Sequence, residues 1–315
     1  MYSFSITKKY DKKDRIIAKI NGGENDGEYI KLEENDKKTK KKPEFMKHFS
    51  PKIYEKDLKQ FRPSERQKML VQLEEAFYKG FQEDDIIDNR LKPMYKNVLE
   101  NENKDDEIRL DDGKICVMPE IDKFQLFYLY GASGSGKSYF MKEIATNYKK
   151  IYPKREVYLI SKLDSDKTLD SLKFIKRVKT DSFLEEIPTA MEFSDSLVLI
   201  DDYEGFETTD KKMYSIIIGL INDISSMGRH HGINICIANH LHSNFKATRL
   251  MLNEATHVVV YPSTAPMSAL KYLLGHHCGL ETKQINIIKK IPSRWICIHR
   301  HAPNYIISEH DIKLL

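Results

Sequence analysis

The run Gly131-Ala132-Ser133-Gly134-Ser135-Gly136-Lys137-Ser138 constrains this chain more than any other stretch. It meets the pattern G-x-x-x-x-G-K-[ST] at every fixed position. The apolar segment Phe124 to Tyr130 leads straight into it and reads as a buried strand. Tyr139-Phe140-Met141-Lys142-Glu143-Ile144-Ala145 follows at helical spacing. Glycine lets the backbone curl so that successive N–H groups converge on one anion. The helix beginning near Lys137 aims its positive dipole end at the same point. All eight residues from Gly131 to Ser138 are therefore candidate phosphate ligands. Lys137 would reach the β- and γ-phosphates, and Ser138 would offer its hydroxyl to Mg2+.

The 315 residues, 40% of them apolar, can fill one large domain or two modest ones. Net charge is only +4, from 51 basic and 47 acidic side chains, so a nucleic-acid surface would have to be local. Mean hydropathy is −0.54, and no apolar run approaches a bilayer span. The first nine residues lack the apolar centre of a secretory signal. Cys116, Cys236, Cys278 and Cys297 are dispersed and read as reduced core residues of an intracellular protein.

Residues 1–110 are expected to form an accessory region. It would hold a β-hairpin near 1–34, a Lys-rich linker over 33–43, and a helix from Pro63 that Ser64 caps and Gly80 ends. Residues 111–315 alternate strand and helix. Strands are expected at 124–130, 155–160, 196–201, 232–239, 256–261, 294–299 and 304–308. Helices are expected near 137–150, 181–187, 210–227, 245–254, 265–275 and 281–290. That alternation predicts an α/β sandwich with a mainly parallel central sheet. Ligands of such sheets sit beyond the carboxyl ends of the strands.

Two later strands end in polar groups suited to that place. Leu197-Val198-Leu199-Ile200 runs into Asp201-Asp202. Asp201 is the candidate Mg2+ ligand, Asp202 the candidate group that orients and activates water, and Glu204 the reserve for that role. Ile233 to Ala238 ends in Asn239-His240, a tip able to sense the γ-phosphate or simply to end a strand. Arg229, at the end of the intervening helix, should lie at the surface, away from its own pocket. Spacing alone leaves it open between a dipole-neutralising cation and a finger for a neighbouring subunit's γ-phosphate.

Other nucleotide machines fit less well. Asp202-Tyr203-Glu204-Gly205 matches the D-x-x-G of GTPases, but the one N-K-x-D match, Asn103 to Asp106, precedes the phosphate loop. A small-molecule kinase needs an Arg-rich lid, and residues 262–290 contain no arginine. A nucleotide-gated binding module would not need the paired acids and Arg229.

The assembled motifs resemble the genome-packaging ATPases of large DNA viruses and virophages, the poxvirus type included, within the FtsK–HerA superfamily of P-loop NTPases. The matching pieces are Gly131 to Ser138, Leu197 to Asp202, the Gly228-Arg229-His230 turn before a strand, and the Asn239-His240 tip. His257 to Pro262, Ser293 to Ile298 and Pro303 to Tyr305 also match. Two positions depart from the family pattern: Asp202 where many members carry Glu, and His240 where many carry Gln. The resemblance implies a three-layer RecA/FtsK-like sandwich with an extra strand between the two nucleotide-binding strands. It also implies ATP and Mg2+ as cofactors and a homo-oligomeric ring in which Arg229 acts in trans. Double-stranded DNA and capsid proteins would be partners, without membrane attachment. The host cytoplasm, a virus assembly site or the virion would be its location. Candidate DNA contacts are the Lys37, Lys38, Lys40, Lys41, Lys42 cluster and the Lys8, Lys9, Lys12, Lys13 cluster, which read equally as solvated tethers, and Lys211, Lys212, Lys246 and Arg249.

Overall fold

The structure, a computed structural model, describes residues 2–34, 59, 61–102, 107–240 and 248–315. The Lys37 to Lys42 cluster, Lys246, the Asn103 to Asp106 match and the expected helix start at 245 lie outside the described residues.

The chain forms two compact units, residues 1–4 with 33–108 and residues 5–32 with 109–315. The second junction lies between Ile108 and Arg109. Residues 5–32, however, belong with the larger unit and not with an accessory region. The reason is local. Strand β2 (Ile16–Asn21) pairs antiparallel with β5 (Lys114–Val117), with Ala18 opposite Val117. Beside them the Arg15 guanidinium clamps the buried Glu120 carboxylate at 2.6 and 3.2 Å. Arg15 and Lys123 hold Glu120 below its ordinary pKa against the opposing effect of burial.

In the smaller unit α1 (Pro63–Tyr78) begins at Pro63, as expected, but Ser64 lies inside its first turn and does not cap it. Proline suits the first helical position because its missing N–H would have no partner there. Arg62 becomes the N-cap, and the Glu65 carboxylate accepts its N–H at 3.2 Å. Gly80 does end the helix, at φ +73. Its N–H donates to Phe77 O, and the Phe81 N–H donates to Ala76 O, a Schellman closure. Leu70, Leu73 and Phe77 pack with Met94, Tyr95 and Val98 of α2 (Lys92–Glu102).

The remaining strands are β1 (Tyr2–Thr7), β3 (Tyr29–Glu34), β4 (Glu107–Arg109), β6 (Leu126–Tyr130), β7 (Glu156–Ser161) and β8 (Ile175–Arg177). They continue with β9 (Ser196–Asp201), β10 (Asn234–Asn239), β11 (His257–Val260), β12 (Ile296–His299), β13 (Tyr305–Ser308) and β14 (Asp311–Leu314). These strands lie in the larger unit, except that β1, β3 and β4 run across the junctions between the two units. A small sheet runs β1-β3-β2-β5; the ten-stranded sheet runs β4-β14-β13-β12-β11-β6-β10-β9-β7-β8. From β8 to β11 the pairings are parallel, as expected, and from β11 to β14 they turn antiparallel. Strand β10 lies between β6 and β9, which is the inserted strand that the resemblance implies.

Helix α3 (Lys137–Ile151) follows the phosphate loop, and α4 (Lys211–His231) returns the chain from β9 to β10. Asp210 caps α4 through the Met213 N–H, and Gly232 ends it at φ +67. Alternate residues of β6 face opposite ways: Tyr128 joins the α4 side of the core, while Phe127 meets Phe140 of α3 at 6.4 Å. This period of two, with both faces apolar, gives the three-layer sandwich. Helices α5 (Arg249–Glu254) and α6 (Thr282–Lys290) complete the unit. Two expected helices differ. Residues 181–187 form only a short 3-10 turn, Thr180–Leu184, because Pro188 biases Ile187 away from helix. The 265–275 helix is one α turn, Met267–Leu270, continued as a π turn, Lys271–His277. Among the described residues no helix is long and apolar enough to cross a membrane.

Candidate active site

Strand β6 is buried along its whole length, so its carboxyl end is a rigid mount for the loop that follows. Gly134 (φ +73) and Gly136 (φ +109) adopt backbone that other residues resist, and Gly136 is the N-cap of α3. Gly131 is constrained by space instead. A Cβ there would lie 2.5 Å from Ser135 Oγ and 2.7 Å from Cδ2 of the buried Tyr261.

Lys137 curls back over this loop. Its Nζ donates to Gly131 O at 2.7 Å and Ala132 O at 3.1 Å, and lies 3.3 Å from His240 Nδ1. Burial pushes its pKa below the ordinary lysine value, while Asp201, Asp202 and Glu204 oppose that shift.

The acids meet this lysine from the neighbouring strands. Asp201 ends β9 and is 4% exposed. Burial, then the adjacent Asp202, pushes its carboxyl up to about 6. Ser138 Oγ donates to Asp201 Oδ2 at 3.4 Å, which brings two hard oxygen donors together at the loop. These groups fit Mg2+, a cation that prefers few protein oxygens beside phosphate oxygens.

Asp202 is held at φ +53, a left-handed conformation costly for a non-glycine residue. Its Oδ1 lies 3.0 Å from His240 Nε2, and this contact holds its carboxyl below the usual aspartate range. With Lys137 donating to Nδ1, the His240 proton is assigned to Nε2, directed at Asp202. One imidazole thus joins the loop lysine to the candidate water-activating acid.

The remaining tip residues take other positions. Glu204 Oε2 accepts the His240 backbone N–H at 2.7 Å, so its carboxylate fixes the strand tip. Asn239 is fully buried, and its Oδ1 accepts the Tyr203 hydroxyl at 2.6 Å. Its carbonyl accepts the Gly131 N–H at 3.2 Å, which ties β10 to the loop. Lys137, Ser138, Asp201, Asp202 and His240 line one cavity of about 610 Å³ together with Ser133, Gly134 and Gly136; Glu204 and Asn239 do not. Arg229 is exposed in the last turn of α4. There it lines a separate cavity of about 210 Å³ with Phe124, Arg155 and Asn234, which precede or begin β6, β7 and β10. It therefore stands at the sheet edge opposite the phosphate loop.

Sequence reasoning weighed His240 only as a sensor, without its contact to Asp202. It gave no role to Tyr139, Leu163, Asp166, Thr168 or Arg294, which also line the larger cavity. Arg294 is separated from the loop by more than 150 residues, and no local pattern announces their meeting.

No protein-family model matches the chain. It resembles solved structures only loosely. One is the conjugation coupling protein TcpA of pCW3, solved as a monomer with ATPgS, at 12% identity and TM-score 0.43 over 66% of each chain. Another is B204, the DNA-packaging ATPase of Sulfolobus turreted icosahedral virus, at 15% identity and TM-score 0.42 over 59% of this chain and 97% of that one. The uncharacterized protein V3 of Sputnik virophage is much nearer in sequence, 32% identical over 226 residues, or 71% of this chain and 90% of that protein. The chain belongs to the family of that virophage protein, and it carries the motifs and strand order that the resemblance to FtsK–HerA packaging ATPases implies.

Proposed function

We propose that this chain is an ATPase that drives double-stranded DNA into a viral capsid, working as a homo-oligomeric ring. The observation that carries the nucleotide reading is the convergence of Lys137, Ser138, Asp201, Asp202 and His240 on one cavity at the tips of β6, β9 and β10. Backbone N–H groups from Gly131 to Ser138 bind the phosphates, and Lys137 swings from its loop carbonyls to the β- and γ-oxygens. Ser138 and Asp201 would hold Mg2+, which would supply positive charge against the phosphate oxygens.

Asp202 orients the attacking water and accepts its proton as the Pγ–O bond to ADP breaks. His240 keeps Asp202 ionised and aimed. Because the Glu204 carboxylate is occupied by the His240 N–H outside the cavity, Asp202 is the stronger candidate for that role. Asn239 acts indirectly, by fixing the strand tip against Tyr203 and Gly131. Arg229, on the far sheet edge, serves the next subunit's γ-phosphate, a contribution worth roughly 10³–10⁵ in rate where such fingers act. The packaging role rests on the motif resemblance and on kinship with a virophage protein. DNA would be gripped through phosphates by Lys211, Lys212, Arg249 and the Lys-rich clusters, with capsid proteins as further partners at the site of virus assembly.

The test is ATP hydrolysis with and without double-stranded DNA, alongside molecular mass in solution. DNA-stimulated turnover by an oligomer is expected. A DNA-indifferent monomer would contradict the motor and favour a GTPase, a kinase or a gated binder.

A further inference from the structure

We propose that Arg294 binds the phosphate chain of a nucleoside di- or triphosphate held on its own subunit's loop. The proposal rests on the nucleotide site described above and adds a cation to it that no motif assigns.

Sheet register brings Arg294 to the loop. Tyr130, the last residue before Gly131, is opposite Val260 of β11, and Val260 is opposite Ile296 of β12. Strand β12 runs antiparallel to β11, so the residues that precede it enter at the carboxyl edge of the parallel strands, beside the phosphate loop. Contact follows: the Arg294 Cδ is 3.2 Å from where a Cβ on Gly136 would stand. The arginine stem lies on the N-cap of α3, where phosphate is expected to sit.

The backbone of this arginine is fixed, while its head makes no hydrogen bond among the described residues and has the Glu143 and Glu309 carboxylates within electrostatic range. Its N–H donates to Glu309 Oε2 at 2.7 Å, and Ser293 Oγ bridges Trp295 O and the Glu309 N–H at 2.6 and 3.0 Å. The buried Trp295 ring packs edge-on against Phe140 of α3 at 5.1 Å. The guanidinium itself makes no hydrogen bond or ion pair among the described residues, and it opens into the 610 Å³ cavity. A structural arginine uses its planar fork of donors; this one presents the fork to a space built for an anion. Charge balance favours the same conclusion. Asp166, Asp201 and Asp202 line that cavity, and Lys137 and Arg294 are its lysine and arginine cations. A polyphosphate entering beside three carboxylates gains from the second cation.

Arg294 and Arg229 then differ in what they do. Arg294 is predicted to act in cis on ground-state binding of both di- and triphosphates, whereas Arg229 is predicted to act on turnover.

The test uses the full chain and fluorescent ADP and ATP, with inorganic tripolyphosphate as competitor. Arg294→Ala should weaken all three by about tenfold or more, as loss of a charged hydrogen bond does, and Arg294→Lys should recover part of it. Thermal melting without nucleotide should be unchanged. Equal binding of all three by Arg294→Ala would overturn the proposal. So would a loss confined to the nucleotides that spares tripolyphosphate, which would move the contact to the base or ribose. If wild type binds and Lys137→Ala does not, while Arg294→Ala binds normally, the nucleotide site stands and this proposal alone falls. Failure of wild type to bind any of the three would overturn both.

Discussion

Gly131→Ala separates crowding from backbone freedom in the phosphate loop. The added methyl would meet the ring of Tyr261 at 2.7 Å and Ser135 Oγ at 2.5 Å. Ser135 can rotate its hydroxyl away. Tyr261 cannot yield cheaply, being fully buried at the end of β11. Overpacking of this kind costs about 1–3 kcal/mol. In a domain of this size that corresponds to a fall in Tm of roughly 3–10 °C. The only relief is movement of the loop itself, so affinity for nucleotide should fall as well.

Gly134 gives the contrast. Nothing lies within 4 Å of a Cβ there, but its φ is +73. Asparagine tolerates that backbone, so Gly134→Asn should cost less than about 1 kcal/mol. Thermal melts and fluorescent-nucleotide titrations of both variants read the two effects. If Gly131→Ala melts and binds like wild type, the packing of the loop against β11 is wrong.

Three further outcomes are expected. His240→Ala should reduce kcat by at least about tenfold with little change in nucleotide affinity, because Asp202 loses the partner that aims it; an unchanged kcat would remove His240 from the mechanism. Arg229→Ala should bind ATP yet turn over poorly, and mixing it with Asp202→Asn subunits should restore activity; no restoration would argue against action in trans. The two buried histidines should cost stability in acid, against an opposing gain from Asp201, whose carboxyl takes up its proton near pH 6 in the fold and later in the unfolded chain. Burial depresses His299 to about 4 and drives His257 well below its ordinary value, so the fold keeps both neutral. The unfolded chain takes up these protons near pH 6.5, so His299 alone removes up to about 3 kcal/mol as pH falls from 6.5 toward 4. His299→Phe should therefore make Tm less sensitive to acid than in wild type between about pH 6.5 and 4.5; an identical pH dependence in the two proteins would refute this.

The strands that carry the candidate site, and their polar tips, were legible because each is a local pattern: an apolar run ending in glycine, in paired acids, or in Asn239-His240. What escaped depends on contacts between distant segments. Residues 5–32 join the larger unit through pairing of β2 with β5 and through the buried Arg15–Glu120 pair, neither of which has a sequence signature. The antiparallel turn of the sheet after β11 is equally silent, yet it delivers Arg294 to the loop. At the start of α1 two local signals compete, and Pro63 at the first helical position outweighs Ser64 as a cap. Adjacent tip residues were also hard to separate, since Asn239 and His240 point to opposite duties within one strand end.

The central claim is that a triphosphate lies between the Gly131–Ser138 loop and the Asp201–Asp202 tip. Titration of a fluorescent ATP analogue with and without Mg2+ measures this directly. Wild type should bind more tightly with Mg2+, Lys137→Ala should lose binding, and Asp201→Asn should lose the Mg2+ dependence. Wild type that binds no nucleotide, or variants that bind as wild type does, would contradict it.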